Sequence, residues 1–113
     1  MKFVAKEKRS KYQNSKNCIA YEYPLEDIDI NCALINLNGR YPVKGRVMNI
    51  ICKEIGYIIK GSGKIVVEGK IYKLKAGDQI LIEPNEKYYW QGNMEFVVPC
   101  TPAWSSDQHI ILD

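Results

Sequence analysis

The sequence predicts an all-β chain, an antiparallel sandwich or barrel of roughly six to ten strands. Short runs rich in Ile, Val and Tyr recur along it, each too brief for an ordinary helix. Turn-forming Gly, Asn and Pro sites separate them, at spacings of about 8 to 12 residues. No stretch keeps the apolar period of a helix, about 3.6 residues.

The runs, in order, are Cys18–Tyr23, Ile28–Ile35, Arg46–Cys52, Gly56–Ile59, Lys64–Glu68, Lys70–Leu74, Gln79–Ile82, Lys87–Trp90, Glu95–Val98 and His109–Leu112. Between them fall Leu37-Asn38-Gly39, Lys44-Gly45, Gly61-Ser62-Gly63, Glu68-Gly69, Ala76-Gly77-Asp78, Pro84-Asn85 and Gly92-Asn93, each read as a turn. Lys64–Leu74 reads as a hairpin turning at Glu68-Gly69-Lys70, because glycine supplies the positive φ of a tight hairpin turn.

At 113 residues and 46% hydrophobic, the chain is one domain's worth and needs no disulfide staples. It is expected to form a single domain over 1–113, with the barrel core at about 30–100 and residues 1–16 as a loosely held arm or one lent to a partner subunit. The charge is mild, +3 from 16 basic against 13 acidic residues. Lys6, Lys8, Arg9 and Lys11 cluster, but without aromatic interleaving or a basic recognition helix they read as a solvated face, so no nucleic-acid partner is expected. The amino terminus is too charged for a signal peptide, and no run approaches the ~18 apolar residues of a membrane span, which predicts a cytosolic protein with no membrane partner. Cys18, Cys32, Cys52 and Cys100 include no C-x-x-C pair and are read as reduced thiols.

Two stretches carry a resemblance. Glu54-Ile-Gly-Tyr-Ile-Ile-Lys-Gly61, followed by the hairpin and then by Gly77-Asp-Gln-Ile-Leu-Ile-Glu-Pro84, resembles the two motifs of the cupin superfamily over about half the chain. Glu54 and Gly61 keep the family spacing, Gly77 opens the second motif, and Pro84 with Gly92 or Asn93 closes it. The resemblance implies a small antiparallel jelly-roll barrel, closed at one end around a cavity. It also implies a homodimer, since small cupins commonly pair sheet edges.

Cupin metals, where present, are held by three histidines and a glutamate, and here every such histidine is missing. Counting back from Glu54, the first two fall on Met48 and Ile50 with a three-residue spacer, or on Val47 and Asn49 with a four-residue one. The third falls on Tyr88 counted from Gly77, or on Tyr89 counted from Pro84 and Asn93. Borderline divalent metals depend on imidazole nitrogen, so no metal and no cofactor is expected. The only histidine, His109, lies outside both motifs and reads as structural or exposed. The tail Pro99–His109 also looks like the closing segment of a group of small bacterial cupins, which supports the architecture and implies no reaction.

By the resemblance, Glu54 points into the barrel. A carboxyl there without metal or histidine partners would have a raised pKa and could act as acid or base; alternatively it only hydrogen-bonds a tyrosine or an amide. Tyr57, Tyr88 and Tyr89, with Trp90 adjacent, suit a cavity that stacks a small ligand. Strand alternation sends Tyr88 and Trp90 to one face and Tyr89 to the other. Cys52 shares strand parity with Glu54, although nothing near it would activate a thiol. Arg46 and the Arg40-Tyr41-Pro42 stretch could place positive charge at the mouth or form surface pairs. Lys60–Lys64 fails the phosphate-loop pattern at Ile58 and Ile65.

These residues predict a metal-independent binding protein for a small molecule, sugar-like or a small carboxylate. Glu54 and Tyr88 are the candidate acid–base groups, and Asn49, Cys52, Tyr57, Tyr89, Trp90 and Arg46 the candidate ligand contacts. The alternative is a metal-independent isomerase or epimerase in which Glu54 or a tyrosine moves the proton. A metal-dependent cupin enzyme with atypical ligands ranks third.

Overall fold

In the computed structural model, which describes residues 1–112, the chain forms nine strands. They are β1 (Ser10–Ser15), β2 (Cys18–Glu22), β3 (Asn31–Tyr41), β4 (Arg46–Asn49), β5 (Lys53–Val67), β6 (Lys70–Lys75), β7 (Gln79–Ile82), β8 (Tyr88–Thr101) and β9 (His109–Leu112). All pairings are antiparallel. The order β1-β2-β3-β8-β4-β9 makes one path, and β5 joins it along β8 while pairing with β6 and β7. Residues 10–15 thus lie in the sheet, against β2 of the same chain. No helix among the described residues is long and apolar enough to cross a membrane.

The sheet curls into an all-β antiparallel barrel, as the resemblance implies. Alternate residues of β2, β3, β5 and β8 point inward, and Leu37, Val47, Ile58, Ile65, Trp90, Met94 and Phe96 form its buried core. The hairpin between β5 and β6 turns on Glu68-Gly69, both at positive φ (49° and 80°), as a two-residue turn matched to the twist of its strands requires. Lys70 already belongs to β6.

Three expected turns are absent. Leu37-Asn38-Gly39 lies within β3, Gly61-Ser62-Gly63 within β5 and Gly92-Asn93 within β8, so runs expected as separate strands are continuous. The glycines act instead as a crease across the sheet, since Gly92 pairs with Gly39 on one side and Gly63 on the other. Backbones there approach too closely for a side chain. A Cβ on Gly92 would stand 2.5 Å from the Gly63 Cα and 2.6 Å from the Ser62 carbonyl oxygen, at a φ of 145°. We expect Gly92→Ala to destabilise the protein by more than about 2 kcal/mol in urea denaturation. Gly77→Ala, at positive φ but with nothing within 4 Å of its Cβ, should cost about 1 kcal/mol. Equal losses at the two sites would rule out a close-packed crease.

The long, creased β5 and β8 position the site. β5 brings Glu54 opposite Cys100 of β8, and β8 carries Tyr88, Trp90, Phe96 and Cys100 inward. β4 pairs with β9, setting Asn49 directly against His109.

Candidate functional site

The barrel holds a partly open cavity of about 180 Å³, lined from β2, β3, β5, β8 and the segment carrying Trp104 and His109. Its apolar wall centres on Trp90, whose ring stacks on Phe96 with centroids 4.3 Å apart and meets Tyr88 edge-on at 6.4 Å. Two hydrogen-bonded groups interrupt this wall.

The first is built on Glu54, buried with 6% of its surface exposed. Tyr88 Oη donates to its Oε1 at 3.1 Å, and Cys100 Sγ donates to its Oε2 at 3.3 Å. Burial pushes the Glu54 carboxyl above the usual range, and the bonds from Cys100 and Tyr88 only partly offset this. The Tyr88 phenol is pushed well up by burial and by the neighbouring Glu54. A carboxyl that holds its proton unusually tightly, touching a phenol inside a cavity, has the properties of an acid–base group.

Of the second group, sequence reasoning singled out Asn49 but missed its partners. Trp104 Nε1 donates to Asn49 Oδ1 at 3.0 Å, His109 Nδ1 lies 2.7 Å from the same oxygen, and His109 Nε2 lies 2.9 Å from Tyr41 Oη. An indole N–H can only donate, so the Asn49 atom it meets is the oxygen, and the ring nitrogen facing that oxygen must carry a proton. His109 is therefore the Nδ1–H tautomer, Nε2 is its acceptor, and Tyr41 donates to it. Burial holds the imidazole down to about 4, keeping it neutral, and pushes the Tyr41 phenol up to about 12, with Cys18 and Glu54 adding to the shift. Trp104 is itself fixed through its backbone, whose N–H and C=O both bond the Asn31 side chain (2.8 and 3.0 Å).

The residues singled out in the sequence therefore divide. Glu54, Tyr88 and Trp90 line the cavity, and Asn49 stands just behind it as the anchor of His109. Cys52 is buried behind the wall, its N–H bonded to Gln108 Oε1 at 2.7 Å and its thiol against Cys100 rather than a ligand. Tyr57, three residues from Glu54 on β5, has opposite strand parity and is 42% exposed on the outer face. Tyr89 faces away from the cavity beneath the Arg40 guanidinium, 3.8 Å from the ring centroid. Arg40 donates to the carbonyls of Pro42 and Gly45, so it ties a loop. Arg46 sits at the start of β4 outside the lining, and Lys60–Lys64 is ordinary β5 strand. His109, expected to be structural or exposed, stands on the cavity wall with Tyr41, Cys100 and Trp104.

The profile of the Cupin domain family matches residues 52–98, and solved cupin barrels superpose on nearly the whole chain. The chain has the cupin fold, with a cupin-domain match over its central strands. Similar structures include PAC13, a Streptomyces nucleoside dehydratase, at 17% identity and a TM-score of 0.89, covering 99% of this chain and 91% of that one. Variants of that protein have been solved with uridine. KdgF from Halomonas superposes at 13% identity and a TM-score of 0.73, covering 95% of this chain and 97% of its own. Oxalate decarboxylase from Bacillus subtilis does so at 17% identity and a TM-score of 0.83, covering 99% of this chain but 32% of the longer enzyme. No curated protein sequence matches.

Within this cupin the family's metal ligands can be tested against the geometry. On β4 the buried positions are Val47 and Asn49, which selects the four-residue spacer, and the third histidine position is Tyr88. The donor set is thus a valine, an amide, a phenol and Glu54. Asn49 Oδ1 already accepts two hydrogen bonds, and each Glu54 oxygen accepts one. Among the described residues, no group of three or more His, Cys, Asp or Glu could hold a metal ion. These residues do not fit a cupin metal.

Proposed function

We propose that this cupin binds a small organic molecule, sugar-like or a small carboxylate, in its cavity without a metal. The observation that carries this reading is Glu54, which takes hydrogen bonds from Tyr88 and Cys100 where a metal-binding cupin would present its carboxylate to the ion. The size of the cavity and its lining of Trp90, Phe96, Tyr41 and Trp104 suit a compact ligand with at least one flat or apolar face. Uridine in a barrel of the same fold supports the ligand class. Native mass spectrometry of protein purified without chelator is expected to show a metal-free chain or one carrying an organic mass. A stoichiometric transition metal would overturn the proposal. The same spectrum counts subunits, and a dimer is expected because Ile59, Ile71, Tyr72 and Leu81 stand exposed on β5, β6 and β7.

A second reading, metal-independent isomerisation or epimerisation, is favoured by the raised carboxyl of Glu54 in direct contact with a phenol. Glu54→Gln keeps an acceptor for Tyr88 and removes the transferable proton. On this reading the variant loses about 10²- to 10⁴-fold in turnover while ligand affinity changes less than about tenfold. Equal losses in both would assign Glu54 to binding alone.

A further inference from the structure

We propose that Tyr41 is a specificity-determining residue, locked as a hydrogen-bond acceptor toward the ligand, so that the cavity takes uncharged molecules bringing their own O–H or N–H donor and rejects carboxylates and phosphates. This deepens the binding role proposed above and rests on it.

The argument follows the protons. Tyr41 has one hydrogen, and His109 Nε2 takes it at 2.9 Å. That nitrogen must accept, because the other ring nitrogen donates to Asn49, whose oxygen is turned toward it by the indole of Trp104. For Tyr41 to donate to a ligand, it would have to leave a buried ring nitrogen unpaired, which costs about 1–3 kcal/mol. Its phenol oxygen therefore presents only lone pairs to the cavity. The remaining polar lining offers neutral donors, among them the Asn14 amide and the Tyr23 phenol, but no positive charge. Among the described residues no Lys or Arg side chain lines the cavity, while two carboxyl groups, Glu22 and Glu54, do. A bound carboxylate would meet the Tyr41 lone pairs and two carboxyl groups and find no cation, so its charge would be buried without an ionic partner. A hydroxyl or amide N–H would instead complete a chain ligand → Tyr41 → His109 → Asn49. Of the two ligand classes above, this selects the sugar-like one.

The chain's single histidine makes the lock directly observable. In nitrogen-15 spectra of the ligand-free protein, His109 is expected as a neutral ring protonated at Nδ1 near pH 7. Protonation at Nε2 would free the Tyr41 hydrogen and overturn the proposal whether or not anything binds. Trp104→Phe releases the Asn49 amide, and a mixture of ring tautomers is expected; an unchanged ring would mean that Trp104 does not set it. The ligand arm uses matched probes by calorimetry, uridine against uridine monophosphate and glucose against glucuronate. The neutral member of at least one pair is expected to bind at least about tenfold tighter. His109→Leu, which frees the Tyr41 hydroxyl to donate, should narrow that ratio to under about threefold. Anions that bind as well as their neutral partners would refute the inference. If no probe binds at all, the small-molecule reading fails for these classes, and the ring spectrum alone decides the state of Tyr41.

Discussion

Acidification from about pH 7 to pH 4 is expected to remove up to about 3 kcal/mol of stability through His109 alone. The imidazole titrates at about 4 in the folded protein against 6.5 when unfolded, so below 6.5 the unfolded state binds the proton first. Its contribution is complete above the unfolded value and is lost as the pH falls toward the folded one. Glu54 works with the opposite sign. Its folded value is raised, so its contribution is present in acid and declines as the pH climbs past the ordinary carboxyl range. The two are separated by comparing wild type with His109→Gln in urea denaturation across the range. The stability difference between them should shrink by roughly 3 kcal/mol toward pH 4. A difference independent of pH would mean that the ring titrates normally and that its link to Tyr41 and Asn49 does not hold in solution.

Trp90→Ala is expected to cost about 3–5 kcal/mol and to lower Tm by at least about 10 °C. The indole is 4% exposed, stacks on Phe96 and abuts the backbone at Gly56, where a Cβ would lie 2.8 Å from the ring. Its removal enlarges the cavity that the indole lines. Trp90→Phe should recover more than half of the loss by restoring an aromatic partner for Phe96. A shift under about 5 °C for the alanine variant would show that the cavity wall does not carry the core.

The architecture was legible because strand period, turn chemistry and the spacing from Glu54 to Gly61 and from Gly77 to Pro84 all agree. The glycines misled where they form a crease. Gly92 was read as a turn because a local pattern does not reveal that Gly39 and Gly63 lie beside it on neighbouring strands. The two-residue period paired Tyr88 with Trp90, but which face turns inward is decided by β3 and β5 on either side. The group centred on His109 was not legible. His109 stands in no motif, and nothing in its local sequence announces Asn49 as its partner; β9 brings it there by pairing with β4. Cys100 likewise reaches Glu54 only through the pairing of β8 with β5.

The pairing of β4 with β9 has a consequence in time. Asn49 and His109 meet across 60 positions of chain, and Glu54 and Cys100 across 46. Contacts this distant form late and slowly, because the loop between them must be closed before any bond rewards it. On a growing polypeptide the first strands emerge long before the segment that carries His109. Binding competence should therefore wait until β9 has docked on β4, so that ligand capture reports completion of the molecule.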